Sequence, residues 1–402
     1  MHGFTHAMKN TPRPSTISWH GDVITIHQQD SNNKPALSIG MAEYKDCLKA
    51  ALLDAKNFIL EKVLMGIFSL DSLDAKMQDI CDNGDKATLG YGIFNKILDE
   101  NKESNKFINT FVDRGYLGSK QDPHGGLLFD RNEVMTWLMG VHLAWSLVFF
   151  LVHTTQGPPG RGEEQALYLI SNSKNMHRHL VWDNKLGAGG FNSNYHKGAL
   201  TTGTYKHIRW LVPYRVMRLL FALIKIVCPL ELTLGVDHLQ ALKPKKAKQT
   251  YTEQAWATLE RPWTGFQMST ILHQCFQEKI GFRLSLRSYW HFAIAIQDRF
   301  LWGAATDLRE KAELMEVADL MAGHCSKVAD MHYARSNEEG SLPKSIKNDS
   351  QRICRAWHLM LGFEMAWTPE EHTAQKETDS KKKRKRDTDG AEGPEKNKRC
   401  SK

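Results

Sequence analysis

Two long apolar windows, residues 137–152 and 216–235, require either a membrane or the interior of a large helical core. The first window is shorter than the roughly 18 residues that a transmembrane helix needs, and it contains His142. The second window carries charged side chains, including Arg218 and Lys225, which are costly inside a bilayer. We therefore predict two buried core helices in a soluble intracellular protein that has no membrane partner.

Apolar residues at helical spacing predict that the rest of the body is mainly helical. One or two helices are expected over 41–80, a helical portion to about residue 113, and a helix that begins near Gly162 after the break TTQGPPGRGEE. Further helices are expected over 132–152, 213–235, 251–260, 268–280, 286–302 and 311–332, with a basic loop at 241–250.

The β content is predicted to be small. The pieces HLVWD (179–183) and GGFNSNYH (189–196), separated by NKLGA, are typical of a β-hairpin. Residues 1–38 are polar and predict at most a short strand or hairpin. The expected fold class is therefore mainly α with a small β-sheet (α+β).

The length of 402 residues fits two domains or one large domain with an appendage. The stretch 115–126 is dense in Gly, Pro and Asp and is the best boundary. We predict a flexible lead-in, a helical N-terminal domain, a catalytic-type domain and a disordered basic tail, over residues 1–40, 41–114, 115–366 and 367–402.

Most of the basic excess lies in that tail. The chain carries a formal charge of +8, of which residues 376–402 supply +5. The clusters KKKRKR (381–386) and KNKR (396–399) are typical of nuclear-import signals. We predict a nuclear protein that meets an import receptor through residues 381–399; the alternative is a solubilising tail with general affinity for polyanions.

Several chemistries are excluded by missing motifs. The seven cysteines are odd in number, widely spaced and without a CxxC pair, which argues against a disulfide framework or zinc ribbon and indicates a reducing compartment. The sequence has no GxxxxGK[ST], HExxH, EF-hand or GxGxxG motif. His177 and His179 lack further ligands nearby and are predicted to lie on a surface strand. No metal and no cofactor are expected.

Four separated pieces carry basic and nucleophilic side chains in a fixed order. They are GPPGRGEE with Arg161, YHKG with Lys197, SYWHFAIAI with His291, and AGHCSKVADMHYAR with His324 and Tyr333. In order and spacing these pieces resemble the tyrosine recombinases, and more narrowly the recombinase-like regions of fungal Crypton elements and those beside fungal RecQ-type helicases. The resemblance covers about residues 115 to 363 and includes HGGLLFDRNEV and WHLMLGF.

The resemblance implies a tyrosine-recombinase-like catalytic domain preceded by a helical domain, which together clamp duplex DNA, and an origin in a mobile element. It implies that Tyr333 is the nucleophile, Arg161 binds the phosphate, Lys197 is the general acid and His324 assists. A tyrosine attack on DNA forms a phosphotyrosyl link, so that cleavage and rejoining need no high-energy cofactor. Guanidinium groups suit the transition state because they donate bidentate, charge-assisted hydrogen bonds.

The middle block departs from the family pattern. Trp290 stands where the family has an Arg, Arg287 where it has a His or Lys, and His291 is retained. Losing one preorganised donor typically costs about 10²–10³ in rate, so catalysis is expected to be weakened unless Arg287 reaches the phosphate. The alternatives are a non-enzymatic nuclear DNA-binding or scaffold protein, and a fragment of a helicase-associated gene.

The spacing of the last motif makes a structural demand. His324 and Tyr333 are nine residues apart, which places them on opposite faces of a continuous helix, so the chain must break between them, near Cys325.

Duplex DNA is the expected partner, and self-association on the DNA is left open. Basic residues near the hairpin and in the KPKKAK loop are the predicted DNA contacts, as phosphate-binding cations beside aromatic rings. They are Lys206, Arg209, Arg215, Arg218, Lys243, Lys245 and Lys246.

Overall fold

The computed structural model describes residues 16–27, 37–84, 86–94, 100–124, 126–193, 208–238, 243–258, 261–301, 308–322 and 344–363. The described residues all belong to one compact unit, and residues 366–402 lie wholly outside them. The expected fold class is confirmed, because the described residues are mainly helical with small antiparallel sheets. Whether 41–114 and 115–366 fold as separate domains stays a prediction.

The N-terminal part begins with a sheet. Strands β1 (Thr16–His20), β2 (Val23–His27) and β3 (Leu37–Gly40) pair antiparallel in that order, which is more β structure than the lead-in was predicted to have. Helices α1 (Met41–Phe58), extended by a π turn over Ile59–Val63, α2 (Asp71–Gln78) and α3 (Glu100–Asp113) follow.

The next part contains the predicted long helix and hairpin. After the short pair β4 (Lys120–Gln121) and β5 (Leu127–Leu128) come α4 (Arg131–Thr155) and α5 (Gly162–Gln165). Strands β6 (Leu180–Asp183), β7 (Ala188–Ser193) and β8 (Ile208–Leu211) form an antiparallel sheet in that order. The predicted hairpin is therefore confirmed, and β8 is a third strand that the sequence pattern did not indicate.

The remaining elements are mostly helices. They are α6 (Tyr214–Ala222), a π turn over Leu223–Val227, α7 (Cys228–Thr233), a π turn over Leu234–His238, α8 (Pro244–Glu253), β9 (Ala257–Thr258), β10 (Arg261–Pro262), α9 (Gly265–Ile280), α10 (Leu286–Phe300), α11 (Leu308–Met321) and α12 (Lys344–Leu361).

Two predictions about the stretch around residue 250 were wrong. The basic stretch 241–250 is not a loop, because α8 begins at Pro244, a residue favoured at the first position of a helix, and buries Ala247 and Tyr251 on one face. The predicted helix over 251–260 is also absent, since α8 ends at Glu253 and β9 follows.

The two apolar windows lie inside the protein. The helical stretches Arg131–Thr155 and Tyr214–Val236 are long and apolar enough to cross a membrane by length and composition, but 67% and 78% of their apolar windows are buried. Helix α4 packs against α1, α6 and α9, and the interior is filled by aromatic side chains such as Trp145 and Phe150. This burial is what the prediction of core helices requires.

The N-terminal sheet packs on the far end of α10. Trp19 of β1 meets Phe300 edge to face with ring centroids 5.5 Å apart, and the Arg299 guanidinium lies 4.7 Å from the Trp19 ring centroid. Arg299 also donates to the carbonyl oxygen of Gly21 over 2.6 Å. The lead-in is therefore attached to the same helix that carries Arg287 and Trp290.

Candidate functional site

Arg161 directly follows a loop that is packed in the core. The loop residues from Gln156 to Gly160 are buried, whereas Arg161 is exposed at the start of α5. The Trp210 indole of β8 donates to the carbonyl oxygen of Pro158 over 2.7 Å, and a β-carbon on Gly160 would lie 3.1 Å from the same ring. The sheet therefore fixes the backbone from which Arg161 reaches solvent.

Glu164 and Gln165 point the other way, into the core. Glu164 is 4% exposed, and burial together with the Glu164 charge raises the pKa of Tyr168 well above its usual value. The Gln165 side-chain oxygen lies 2.8 Å from Nδ1 of His153, which is also buried. Arg161 is therefore exposed, whereas Glu164, three residues later, is buried beside Tyr168.

Helix α10 begins directly against α5. A β-carbon on Gly162 would lie only 2.3 Å from Cδ1 of Leu286. The two segments of the chain therefore contact each other at a position where Gly162 has no side chain. Ser285 caps α10, and the Leu286 amide donates to the Ser269 hydroxyl over 3.3 Å. Since Arg161 precedes Gly162 and Arg287 follows Leu286, the fold brings these two exposed arginines to neighbouring helix starts.

Helix α9 also begins at this point. A β-carbon on Gly265 would lie 3.6 Å from the Glu163 backbone nitrogen and 3.6 Å from its Cγ. The N-termini of α5, α9 and α10 therefore meet, and the two longer helices, α9 and α10, each present the positive end of a helix dipole. Glu163 is exposed beside the start of α9 and offsets part of that charge.

Trp290 and His291 lie further along α10 and are both half-buried. The Trp290 indole donates to the carbonyl oxygen of Ala322 over 2.7 Å, and its ring centroid is 4.8 Å from that of His291. On the buried side of the same helix, the Tyr289 hydroxyl donates to the carbonyl oxygen of Thr154. Helix α10 is thus joined to the residue that immediately precedes the Gly-His motif.

Four predicted site residues lie outside the described residues: Lys197, Lys206, His324 and Tyr333. The predicted chain break near Cys325 lies outside them as well. Of the six predicted catalytic residues, the structure therefore brings together the blocks of Arg161, Arg287 and His291.

The predicted DNA contacts divide into two groups. Arg209 pairs with Asp183 over 3.3 Å and is buried, Arg218 pairs with Asp74 over 2.8 Å, and Arg215 is half-buried. Arg209 and Arg218 therefore pair with buried carboxylates, and Arg215 is only partly exposed to solvent. In contrast, Lys243, Lys245 and Lys246 are exposed at the start of α8.

The sequence-based placement of His179 was wrong. It is 5% exposed, its Nδ1 accepts the amide of Leu169 over 2.9 Å, and burial lowers its pKa to about 4. Neighbouring His177 is exposed, as predicted, but it lies before the strand, which begins at Leu180. Among the described residues no group of three or more His, Cys, Asp or Glu side chains could hold a metal ion.

Sequence reasoning missed two features beside the site. Phe266 is 81% exposed on the first turn of α9, and Arg261 is exposed on β10 just before it. A signal was present, because Thr264 and Gln267 form a capping box that sets the helix start at Gly265 rather than at 268.

The arrangement can hold an anion at a surface formed by the exposed Arg161 and Arg287 and by the starts of α9 and α10. Comparisons with protein-family models, curated proteins and solved structures find no match.

Proposed function

We propose that the protein binds duplex DNA through a tyrosine-recombinase-like site in which Arg161 and Arg287 hold one backbone phosphate. The contact of Gly162 with Leu286 carries this proposal, because it joins two motif blocks that are far apart in the sequence. Arg161 and Arg287 are both exposed residues, and planar guanidiniums bind phosphate oxygens in a bidentate manner.

In the proposed reaction the Tyr333 oxygen attacks the phosphorus held by the arginines. The Tyr333 hydroxyl releases its proton to water and forms a phosphotyrosyl bond, the bond to the 5′ oxygen breaks, and Lys197 supplies a proton to the departing oxygen. His324 and His291 assist by donating to the non-bridging oxygens. Rejoining runs the same steps in reverse.

Trp290 is the reason to expect that this chemistry is weakened. Its indole N–H already donates to Ala322, so it supplies no donor to the phosphate while that bond stands. The missing guanidinium costs about 10²–10³ in rate if Arg287 does not replace it. The same observation favours the second candidate, a non-enzymatic DNA-binding or scaffold protein that keeps the old fold. Origin in a mobile element, or association with a helicase gene, belongs to this proposal.

Residues 381–399 are proposed to direct the protein to the nucleus. They combine two basic clusters in a tail that carries most of the net charge.

Covalent trapping tests the proposal. Wild type, Tyr333→Phe, Trp290→Arg and Arg161→Ala are incubated with nicked duplexes of random sequence, and SDS-resistant adducts are counted beside non-covalent retention. We expect salt-dependent retention by wild type, weaker retention by Arg161→Ala, and more adducts with Trp290→Arg than with wild type.

The controls separate the two candidates. Adducts that disappear in a Tyr333→Phe background support a recombinase, whereas retention without adducts in any variant supports the non-enzymatic protein. If no variant is retained even at low salt, DNA binding is rejected.

A further inference from the structure

Phe266 exposes 81% of its surface, the highest fraction among the large apolar side chains of the described residues. The buried face of the same helix is formed by other residues, including Met268 and Leu272, so Phe266 adds nothing to the core. An exposed apolar side chain is ordinary by itself. The position of this one is what requires an explanation.

Phe266 stands beside the proposed phosphate site. The preceding residue, Gly265, is where α9 contacts α5. A β-carbon added to Gly265 would lie 3.6 Å from the Glu163 backbone nitrogen. Arg161 lies two residues before Glu163 in the same chain segment. A single nucleotide spans several ångströms, so a phosphate bound at Arg161 places its neighbouring bases within reach of this aromatic ring.

The charges around the ring favour a nucleic acid over a protein partner. Arg161, Arg261 and Arg287 are exposed, against the exposed acid Glu163. Leu167, which follows α5 in the chain, is another exposed apolar side chain, at 42%. Two such side chains cover far less than the ~800 Å² per partner that a stable protein interface buries. Cations near one aromatic ring are instead the usual pattern for single-stranded nucleic acid.

We propose that Phe266 stacks on a nucleobase next to the phosphate bound by Arg161 and Arg287. This inference rests on the proposed function and adds a contact to the base, where the arginines contact the backbone. In an intact duplex each base is already stacked on its neighbours, so the contact forms at a base that is unpaired, as in a single-stranded gap.

The test compares intact duplex with duplex that contains a short single-stranded gap. Binding is measured by fluorescence anisotropy over a range of salt for wild type, Phe266→Ala, Phe266→Trp and Arg161→Ala. Leu89→Ala is the matched control, because Leu89 is 68% exposed on another segment. Circular dichroism checks that each variant is folded.

Phe266→Ala is expected to bind gapped DNA about 5- to 150-fold more weakly, the effect of losing one stacked base. Its salt dependence should match wild type, because no charge is lost, and Phe266→Trp should bind as wild type does. Arg161→Ala should instead lower the slope of log affinity against log salt by about one.

Two results would overturn the stacking contact and leave the proposed function intact. One is that Phe266→Ala binds gapped DNA as tightly as wild type does. The other is that Leu89→Ala loses as much affinity as Phe266→Ala. In both cases Arg161→Ala must still lower the salt slope. If the wild type binds neither the intact nor the gapped duplex, the proposed function and the stacking contact are both rejected.

Discussion

Trp290 donates its indole N–H to the carbonyl oxygen of Ala322 over 2.7 Å and so joins α10 to the end of α11. Trp290 therefore has a structural partner, and that partner immediately precedes Gly323 and His324 in the sequence. A substitution at Trp290 therefore removes a contact between α10 and the residue that follows α11.

Trp290→Phe keeps a ring in place and removes the donor. We expect a loss of about 1 kcal/mol in the free energy of unfolding, the usual net value of one hydrogen bond. Urea denaturation of Trp290→Phe beside wild type measures it. Unchanged stability would mean that the Ala322 carbonyl finds water or another donor at no cost.

Gly162→Ala tests the contact between α5 and α10. The new methyl group would lie 2.3 Å from Leu286 Cδ1, so Leu286 must change rotamer or the helices must separate. We expect a destabilisation of about 1–3 kcal/mol together with weaker DNA retention.

The double variant Gly162→Ala/Leu286→Ala makes room for the methyl group and provides the control. A favourable coupling energy between the two positions in a double-mutant cycle would confirm the contact. Strictly additive losses would show that the two residues do not touch.

Asp183 is a carboxylate that joins the sheet to α12. It accepts from Arg209, from Gln351 over 2.9 Å and from Lys347 over 3.1 Å. Burial raises the pKa of Asp183, but the hydrogen bond and charge of Lys347, the Leu186 amide and the Arg209 charge outweigh it, so the net pKa is below its usual value. The carboxylate is therefore more stable ionised in the folded protein.

Asp183→Asn is expected to cost about 3 kcal/mol near neutral pH, because the largely buried Arg209 loses its counter-charge. A lowered folded pKa means that the stabilisation is complete above the unfolded pKa of about 3.9 and is lost as the pH falls through the lower folded value. Denaturant titrations at neutral pH and in acid should show the gap between wild type and Asp183→Asn closing in acid. A gap independent of pH would contradict this assignment.

Buried histidines predict a second loss of stability in weak acid. Burial lowers the pKa of His153 to about 4 and that of His358 to about 3. The unfolded chain takes up these protons near pH 6.5 and the folded chain does not, so stability should fall between pH 6.5 and about 4. In His153→Gln, which can keep a side-chain amide near Gln165, the loss over that range should be smaller than in wild type.

Local patterns sufficed where a residue's role depends on its own neighbours. The apolar windows predicted the long core helices, and alternating residues predicted the hairpin of β6 and β7. Both predictions were possible because helical and strand periodicity depend only on residues that are close in the sequence. The motif order also singled out Arg161 and Arg287, which the fold places at touching helix starts.

Long-range contacts decided what the local patterns left open or misjudged. The basic stretch after Lys243 became a helix because Ala247 and Tyr251 found a core to bury against. Arg209 pairs with Asp183, and His179 became a core acceptor for Leu169.

These partners lie on other elements of the chain, and a sequence pattern contains no information on which surfaces will face each other. The same reason explains Trp290, whose acceptor at Ala322 lies on a different element, and Phe266, whose place beside Arg161 depends on the contact of Gly265 with Glu163. Burial and charge pairing are properties of packed surfaces, so they were set when the helices and sheets came together.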